Sequence, residues 1–402
     1  MNLTYAIRLT LIAGALVFPA FPAIAEDEAQ PVSNRYFVKT EKSIWKKTFN
    51  ARNTFKGGFT ADLSPIQLNI AKFMGVETSP VRVFQVSPLF SQLSRSAESP
   101  DKSDIKTEVT QSKREYPPVQ TGWNIALMRP DVESDLANES NHINVAVLDT
   151  GISQHPDLER RIVDCRDFSS VSGSAVQDRC TDKNGHGTAV ASLIAADTSE
   201  DGKGIEGVAP SVSILAYKVC NDNGYCFADD IAVAVRAAIA AKARIINMSF
   251  GSDEPSDLIE AAIKEGQAKD VVFVAAAGND GPEAKSVDYP AAYDSVLSVG
   301  AISEDLKVPT WSSRGLDADG VPAVDFAAPG NKVLAATATG GYALVSGTSM
   351  AAAHISGLIA FFMAANEEVN FSDILTLLKE SAVDIDKKGP DATSGFGLPR
   401  LR

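Results

Sequence analysis

Only four histidines and four cysteines occur in 402 residues. No histidine stands at ligand spacing from a cysteine, which excludes the usual zinc patterns. Excess positive charge is also missing. The net charge of −14 argues against a nucleic-acid partner and against an anionic membrane surface. No stretch resembles a glycine-rich phosphate-binding loop. After the first 25 residues no apolar run is read as long enough to span a bilayer, which takes about 20 residues. What is present in quantity is ordinary: 45% apolar residues, enough for a soluble protein with a sizeable core.

The N-terminus has the layout of a secretory signal, assigned to residues 1–25. Arg8 is the only early charge, Leu9 to Phe18 form an apolar core, and Ala23-Ile24-Ala25 offers a small-residue cleavage site. The apolar run is too short for a stable anchor, so no membrane anchor is expected after cleavage and the product is secreted or periplasmic. An exported chain can keep disulfides. Cys165, Cys180, Cys220 and Cys226 fall as two local pairs. Three connectivities are possible. The local one, Cys165 with Cys180 and Cys220 with Cys226, is expected; free buried thiols are the alternative.

Beyond the signal the chain divides. Residues 26–90 read as a small α+β unit: Arg35 to Thr40 and Val81 to Val86 alternate as strands, and Ser64-Pro65 starts a helix as N-cap and first helical residue. Residues 91–117 belong to an exposed stretch rich in Ser, Asp, Lys and Glu, with Lys113-Arg114 near its end, of the kind that is nicked. Residues 118–402 form the main domain. Residues 26–115 carry a net charge of +3 and residues 116–402 a net charge of −18, a bias toward docking of the first part on the second.

In the main domain short β-branched runs alternate with helical stretches. Ile143–Leu148, Ser213–Val219, Arg244–Ser249, Val271–Ala277 and Val296–Val299 read as strands; Asp230–Ala241 and Asp257–Gly266 lie between them as helices. Near-continuous apolar strands with intervening helices mean an α/β fold, a mostly parallel sheet covered on both faces. Ligands of such sheets bind beyond the carboxyl ends of the strands. Asp149, Ser249 and Asn279 fall there. His186, between two glycines, opens a helix. Ser349 stands where a small-residue turn meets an apolar run from Ile355 to Ala365, a buried helix whose N-terminus favours a developing negative charge. Alone, each residue has a bland reading: a cap for Ser349, a turn residue for Asp149 and Asn279, a surface position for His186. Together they supply a nucleophile, a base, an orienting acid and an oxyanion donor.

The order Asp149, His186, Ser349 and five stretches resemble the subtilisin-like serine proteases. The stretches are Val147-Leu148-Asp149-Thr150-Gly151-Ile152, Asn184-Gly185-His186-Gly187-Thr188, Asn247-Met248-Ser249-Phe250-Gly251, Ala276-Ala277-Gly278-Asn279 and Gly347-Thr348-Ser349-Met350-Ala351. The resemblance runs from about Pro118 to Leu398. It implies a serine endopeptidase acting on protein or peptide substrates, with Ser349 as nucleophile, His186 as general base and acid, and Asp149 as its orienting partner. Asn279 and the Ser349 backbone N–H would form the oxyanion hole. Ser249, Phe250 and Gly251, with Ala276, Ala277 and Gly278, would pair with the substrate backbone and wall its pocket. No catalytic cofactor is implied. A structural calcium ion is, through Asp157 and the loop holding Asp201. Residues 26–90 resemble the family's inhibitory propeptide, with the match from Phe55 to Val86. An independent binding module is the alternative for that unit.

Two residues depart from the family pattern. Asp288, before Tyr289-Pro290, replaces the usual glycine at the floor of the first specificity pocket; facing inward, it would favour Lys or Arg before the cut. Ala353 replaces the usual proline one turn after Ser349, which raises the alternative of a processing protease with transpeptidase or ligase activity. A catalytically silent binding protein is the third reading.

Overall fold

The N-terminal unit is richer than two strands and a helix. Arg35–Val38 (β1) is followed by the short helix Ser43–Thr48 (α1), the hairpin of Thr54–Phe55 (β2) and Gly58–Asp62 (β3), the helix Pro65–Phe73 (α2), Thr78–Pro80 (β4) and Val83–Val86 (β5). β2, β3, β1 and β4 form one sheet in that order; all its pairings that involve β1 or β3 are antiparallel. Its small core holds Val38, Phe49, Phe59, Ala61, Leu63 and Ala71. The α2 start is a capping box. Gln67 N–H donates to the Ser64 hydroxyl, and Ser64 N–H donates to the Gln67 side-chain oxygen, with Pro65 as the first helical residue. β5 does not join this sheet.

The computed structural model describes residues 33–86, 122–129, 143–170, 175–198, 203–283, 285–316, 319–366 and 368–401, all within the unit Ser33–Arg402. The expected signal segment, Lys113-Arg114 and Asp201 lie outside the described residues.

The main domain opens, among the described residues, with Trp123–Met128 (α3). In chain order come Asn144–Asp149 (β6), Ile162–Asp167 (β7), Val176–Gln177 (β8), His186–Ala195 (α4), Ser213–Lys218 (β9), Tyr225–Phe227 (β10), Ala228–Ala240 (α5), Ile245–Met248 (β11), Phe250–Gly251 (β12), Asp257–Gln267 (α6), Val272–Ala276 (β13) and Leu297–Ile302 (β14). Phe326–Pro329 (β15), Val333–Ala336 (β16), Tyr342–Val345 (β17), Thr348–Ala365 (α7), Phe371–Ser381 (α8), Ala382–Val383 (β18) and Leu398–Pro399 (β19) complete it.

The large sheet runs β15-β14-β13-β11-β6-β9-β7-β8. Its pairings are parallel except at the edge, where β8 is antiparallel to β7. From β6 the chain skips one place to β7, returns to β9 between the two, then crosses to β11 on the other side of β6. The strand order therefore reverses between β6 and β11, which opens a crevice at their carboxyl ends.

β6 shows how both faces are covered. Val145 and Val147 pack into the cluster with α4 and α7, while Ala146 and Leu148 pack into the cluster with α5 and α6. Full burial of one such aliphatic side chain stabilises by about 1.5–3 kcal/mol. α7 corrects one expectation. By length and composition it could cross a membrane, but 78% of it is buried in this protein, so its apolar surface is used in packing.

Two disulfides, Cys165–Cys180 and Cys220–Cys226, are local. The second closes the loop that leads into β10.

Candidate active site

Asp149 is the last residue of β6 and is fully buried. Its carboxylate accepts from Thr150 N–H at 2.7 Å. It also faces His186 Nδ1, at 2.8 Å from Oδ1 and 2.9 Å from Oδ2. A carboxylate can only accept, so the Nδ1 hydrogen is donated to it and Nε2 is left as the basic nitrogen of the ring. His186 is the first residue of α4. Its N-cap is Gly185 at φ 100°, a left-handed conformation that suits glycine and turns the chain sharply into the helix. Gly187 lies against the carbonyl of Gly151, where an added Cβ would stand 2.1 Å from the oxygen. The paired glycines around His186 thus allow one turn and one close backbone approach.

Ser349 is not a cap residue. α7 starts at Thr348, its N-cap is Gly347 at φ 151°, and Ser349 is the second helical residue. Its hydroxyl donates to the Ser249 carbonyl at 3.2 Å, and the Ser249 hydroxyl donates back to the Ser349 carbonyl at 3.1 Å. Asn247 Nδ2 donates to the Ser249 hydroxyl at 2.9 Å, and the Ser356 hydroxyl donates to Asn247 Oδ1 at 2.9 Å. This chain of bonds fixes the end of β11 against α7.

Asn279 follows β13. Its Oδ1 accepts from Thr348 N–H at 3.0 Å and from the Thr348 hydroxyl at 3.3 Å. Because the oxygen is held there, the NH₂ of the half-buried amide is aimed the other way, as a donor. Thr348 was not singled out from sequence, yet it sets this orientation. Nor was the pair Asn124 and His354. Asn124 Nδ2 lies 2.9 Å from His354 Nε2, and His354 Nδ1 lies 2.7 Å from the Met350 carbonyl. Nδ1 therefore carries the hydrogen. Burial pushes the His354 pKa down to about 4, so the ring is a neutral brace behind the first turn of α7. The only sequence signal for either was two polar residues inside apolar segments.

Asp288 faces inward. Its N–H donates to the Ala277 carbonyl at 2.9 Å. An added Cβ on Gly251 would meet Asp288 Oδ2 at 2.3 Å, and one on Gly278 would meet it at 2.7 Å. The carboxyl group thus lies between these two backbone stretches. Burial, then the neighbouring Asp280 and Asp253 carboxylates, push its pKa up to about 8.

β5 lies between two strands of the main domain. It pairs antiparallel with β10, Gln85 opposite Tyr225, Phe84 opposite Cys226 and Val83 opposite Phe227. It pairs antiparallel with β12, Val86 opposite Phe250 and Gln85 opposite Gly251. Phe84 is fully buried and meets Phe250 edge-on at 6.0 Å. β12 begins one residue after Ser249, so an extended stretch of this chain runs toward Ser349 by backbone pairing.

Asp157 makes its contacts elsewhere. Its Oδ2 accepts from Ile205 N–H at 2.9 Å and from the Tyr342 hydroxyl at 2.9 Å. Among the described residues, no three His, Cys, Asp or Glu side chains are grouped to hold a metal. Asp201 and the adjoining residues 199–202, expected to complete a calcium site with Asp157, lie outside the described residues.

The family model described as Subtilase family, a peptidase S8 domain, matches residues 140–397. Subtilisin from Bacillus sp. (strain TA39) is 34% identical over 425 aligned positions, covering 98% of this chain and 97% of that protein. Two solved structures are similar at 35% identity. Sphericase has a TM-score of 0.64, covering 70% of this chain and 98% of its own. S41 Psychrophilic Protease has a TM-score of 0.65, covering 71% of this chain and all of its own.

Proposed function

This chain belongs to the subtilase family of serine endopeptidases, and from that premise we propose that it is an exported zymogen that cleaves peptide bonds through an acyl-enzyme on Ser349. In the proposed mechanism the Ser349 hydroxyl leaves the Ser249 carbonyl and attacks the scissile carbonyl carbon, while His186 Nε2 takes its proton. Asp149 holds the ring by Nδ1 and stabilises the imidazolium that forms. The negative charge that develops on the substrate oxygen is met by the Asn279 NH₂ and the Ser349 N–H, at the N-terminus of α7. His186 then returns the proton to the leaving amine. Water, deprotonated by the same nitrogen, attacks the ester carbon; the bond to Ser349 Oγ breaks, His186 returns the proton to Oγ, and the carboxylic acid product leaves. The disulfides support export, since they persist in oxidising compartments.

The observation that carries this reading is β5. An extended segment of the chain occupies the groove between β10 and β12 that leads to Ser349, as a peptide substrate would and as an inhibitory propeptide would. In this reading residues 26–90 are the propeptide, residues 91–117 the processing linker and residues 118–402 the mature enzyme. Asp288 supports a preference for Lys or Arg before the cut, because its carboxyl group lies between the two glycine backbones of the first pocket.

Mass spectrometry of the purified full chain beside Ser349→Ala tests the reading. The wild type should be cut between residues 87 and 118 and the variant should stay whole. Equal cutting of both would assign processing to another protease.

A further inference from the structure

Two adjacent aspartates, Asp229 and Asp230, sit in the first turn of α5, and neither is exposed to solvent. Buried carboxylates need partners, and here the partners come from residues 33–86. Arg35 Nη1 donates to Asp229 Oδ1 at 3.0 Å and to Asp230 Oδ2 at 2.6 Å. The Arg35 guanidinium also lies over the Phe227 ring, 3.9 Å from its centroid. Asn53 Nδ2 donates to Asp229 Oδ2 at 2.9 Å and to Asp230 Oδ1 at 3.2 Å, and the Thr60 hydroxyl donates to Asp229 Oδ2 at 2.7 Å. Arg52 Nη2 lies 3.5 Å from Asp230, and Asp62 stands on the outer side, 3.5 Å from Arg35 and 3.6 Å from Arg52.

The ownership of these groups divides cleanly. Asp229, Asp230 and Phe227 belong to the main domain, at the end of the peptide groove where Val83 pairs with Phe227. Arg35, Arg52, Asn53, Thr60 and Asp62 all belong to the N-terminal unit. A flat ring below and two carboxylates beside it match the shape and charge of a guanidinium. We propose that Asp229, Asp230 and Phe227 form a guanidinium-binding site of the main domain, separate from the catalytic centre, and that Arg35 fills it as the lock that keeps the N-terminal unit in the groove. The N-terminal end of α5 favours negative charge at both positions. The emptied site then offers an anionic recess to an arginine of a peptide lying in the same groove.

This proposal rests on the inhibitory reading of residues 33–86, and the test separates the two. The delay before peptidase activity appears is measured in the full chain, as wild type, Arg35→Ala, Asp230→Asn and Arg82→Ala. Arg82 is exposed at the same interface, paired with Glu254 at 3.3 Å. The lock predicts that Arg35→Ala shortens the delay at least tenfold and that Arg82→Ala changes it less than twofold. Millimolar guanidinium chloride should restore the delay in Arg35→Ala, because the small cation refills the site, while equal sodium chloride should not. Asp230→Asn should shorten the delay without rescue. An Arg35→Ala delay equal to that of Arg82→Ala, or no difference between the two salts, would overturn the lock. A wild-type chain active without delay would overturn the inhibitory reading itself, and the lock with it.

Discussion

At the scale of single residues, Asp288 makes the most specific demand. Its pKa is raised to about 8, first by burial and then by Asp280 and Asp253. The carboxyl group is therefore neutral below that pH and charged above it. A charge-assisted bond to Arg or Lys before the cut needs the charged form, so discrimination should grow as pH rises through about 8. A bound cation favours the ionised acid and moves the onset lower. Comparing kcat/KM for peptides with Arg or Gln before the cut, at pH 6.5 and 9.5, reads this directly. The ratio should rise by roughly ten- to a hundredfold, the worth of a hydrogen bond to a charged group, and in Asp288→Asn it should stay flat. A flat ratio in the wild type would place Asp288 outside substrate recognition. Asp149, His186, Ser349 and Asn279, the proposed catalytic groups, can be picked out of the sequence because each carries its functional group in a motif. Thr348, Asn124 and His354 cannot, because their contribution is a contact with a residue distant in the sequence: Thr348 with Asn279, and Asn124 with His354.

Among the elements, what was legible followed local periodicity. The strands read at Ile143–Leu148 and Ser213–Val219 appear as β6 and β9 with boundaries shifted by a residue. β7 escaped notice because three of its six residues are charged, and β15 because Phe-Ala-Ala-Pro has little β-branched character. β5 was visible as a strand, but its partners were not. Pairing with β10 and β12 is set by residues far along the chain, which alternation within Val81 to Val86 cannot encode. β10 itself is held by the Cys220–Cys226 bridge, whose two residues also face each other as an isolated antiparallel bridge. That gives the disulfide a functional reading as well as a stabilising one. In the double variant Cys220→Ala with Cys226→Ala, the wall of the groove loses its staple. KM should rise several-fold for peptides with four or more residues before the cut and change little for a single-residue ester. Equal effects on both substrates would mean that the bridge acts on the whole fold.

For the whole molecule, the charge division read from sequence has a physical counterpart. The N-terminal unit brings Arg35, Arg52 and Arg82 to Asp229, Asp230 and Glu254 of the main domain. The net charges pointed to docking but could not say where, since only the fold buries Asp229 and Asp230 at one end of a groove. The fold class was legible for the opposite reason: apolar strands alternating with helices constrain the architecture strongly. The crevice at the β6/β11 reversal then collects Asp149, His186 and Ser349 from segments 200 positions apart. In the proposed mechanism these three act as one unit through Ser349. Intact and peptide mass spectrometry of the processed, active chain after treatment with a fluorophosphonate tests it most directly. One adduct is expected, on Ser349, with activity lost in proportion and no adduct in Ser349→Ala. An adduct on another serine, or undiminished labelling of Ser349→Ala, would contradict it.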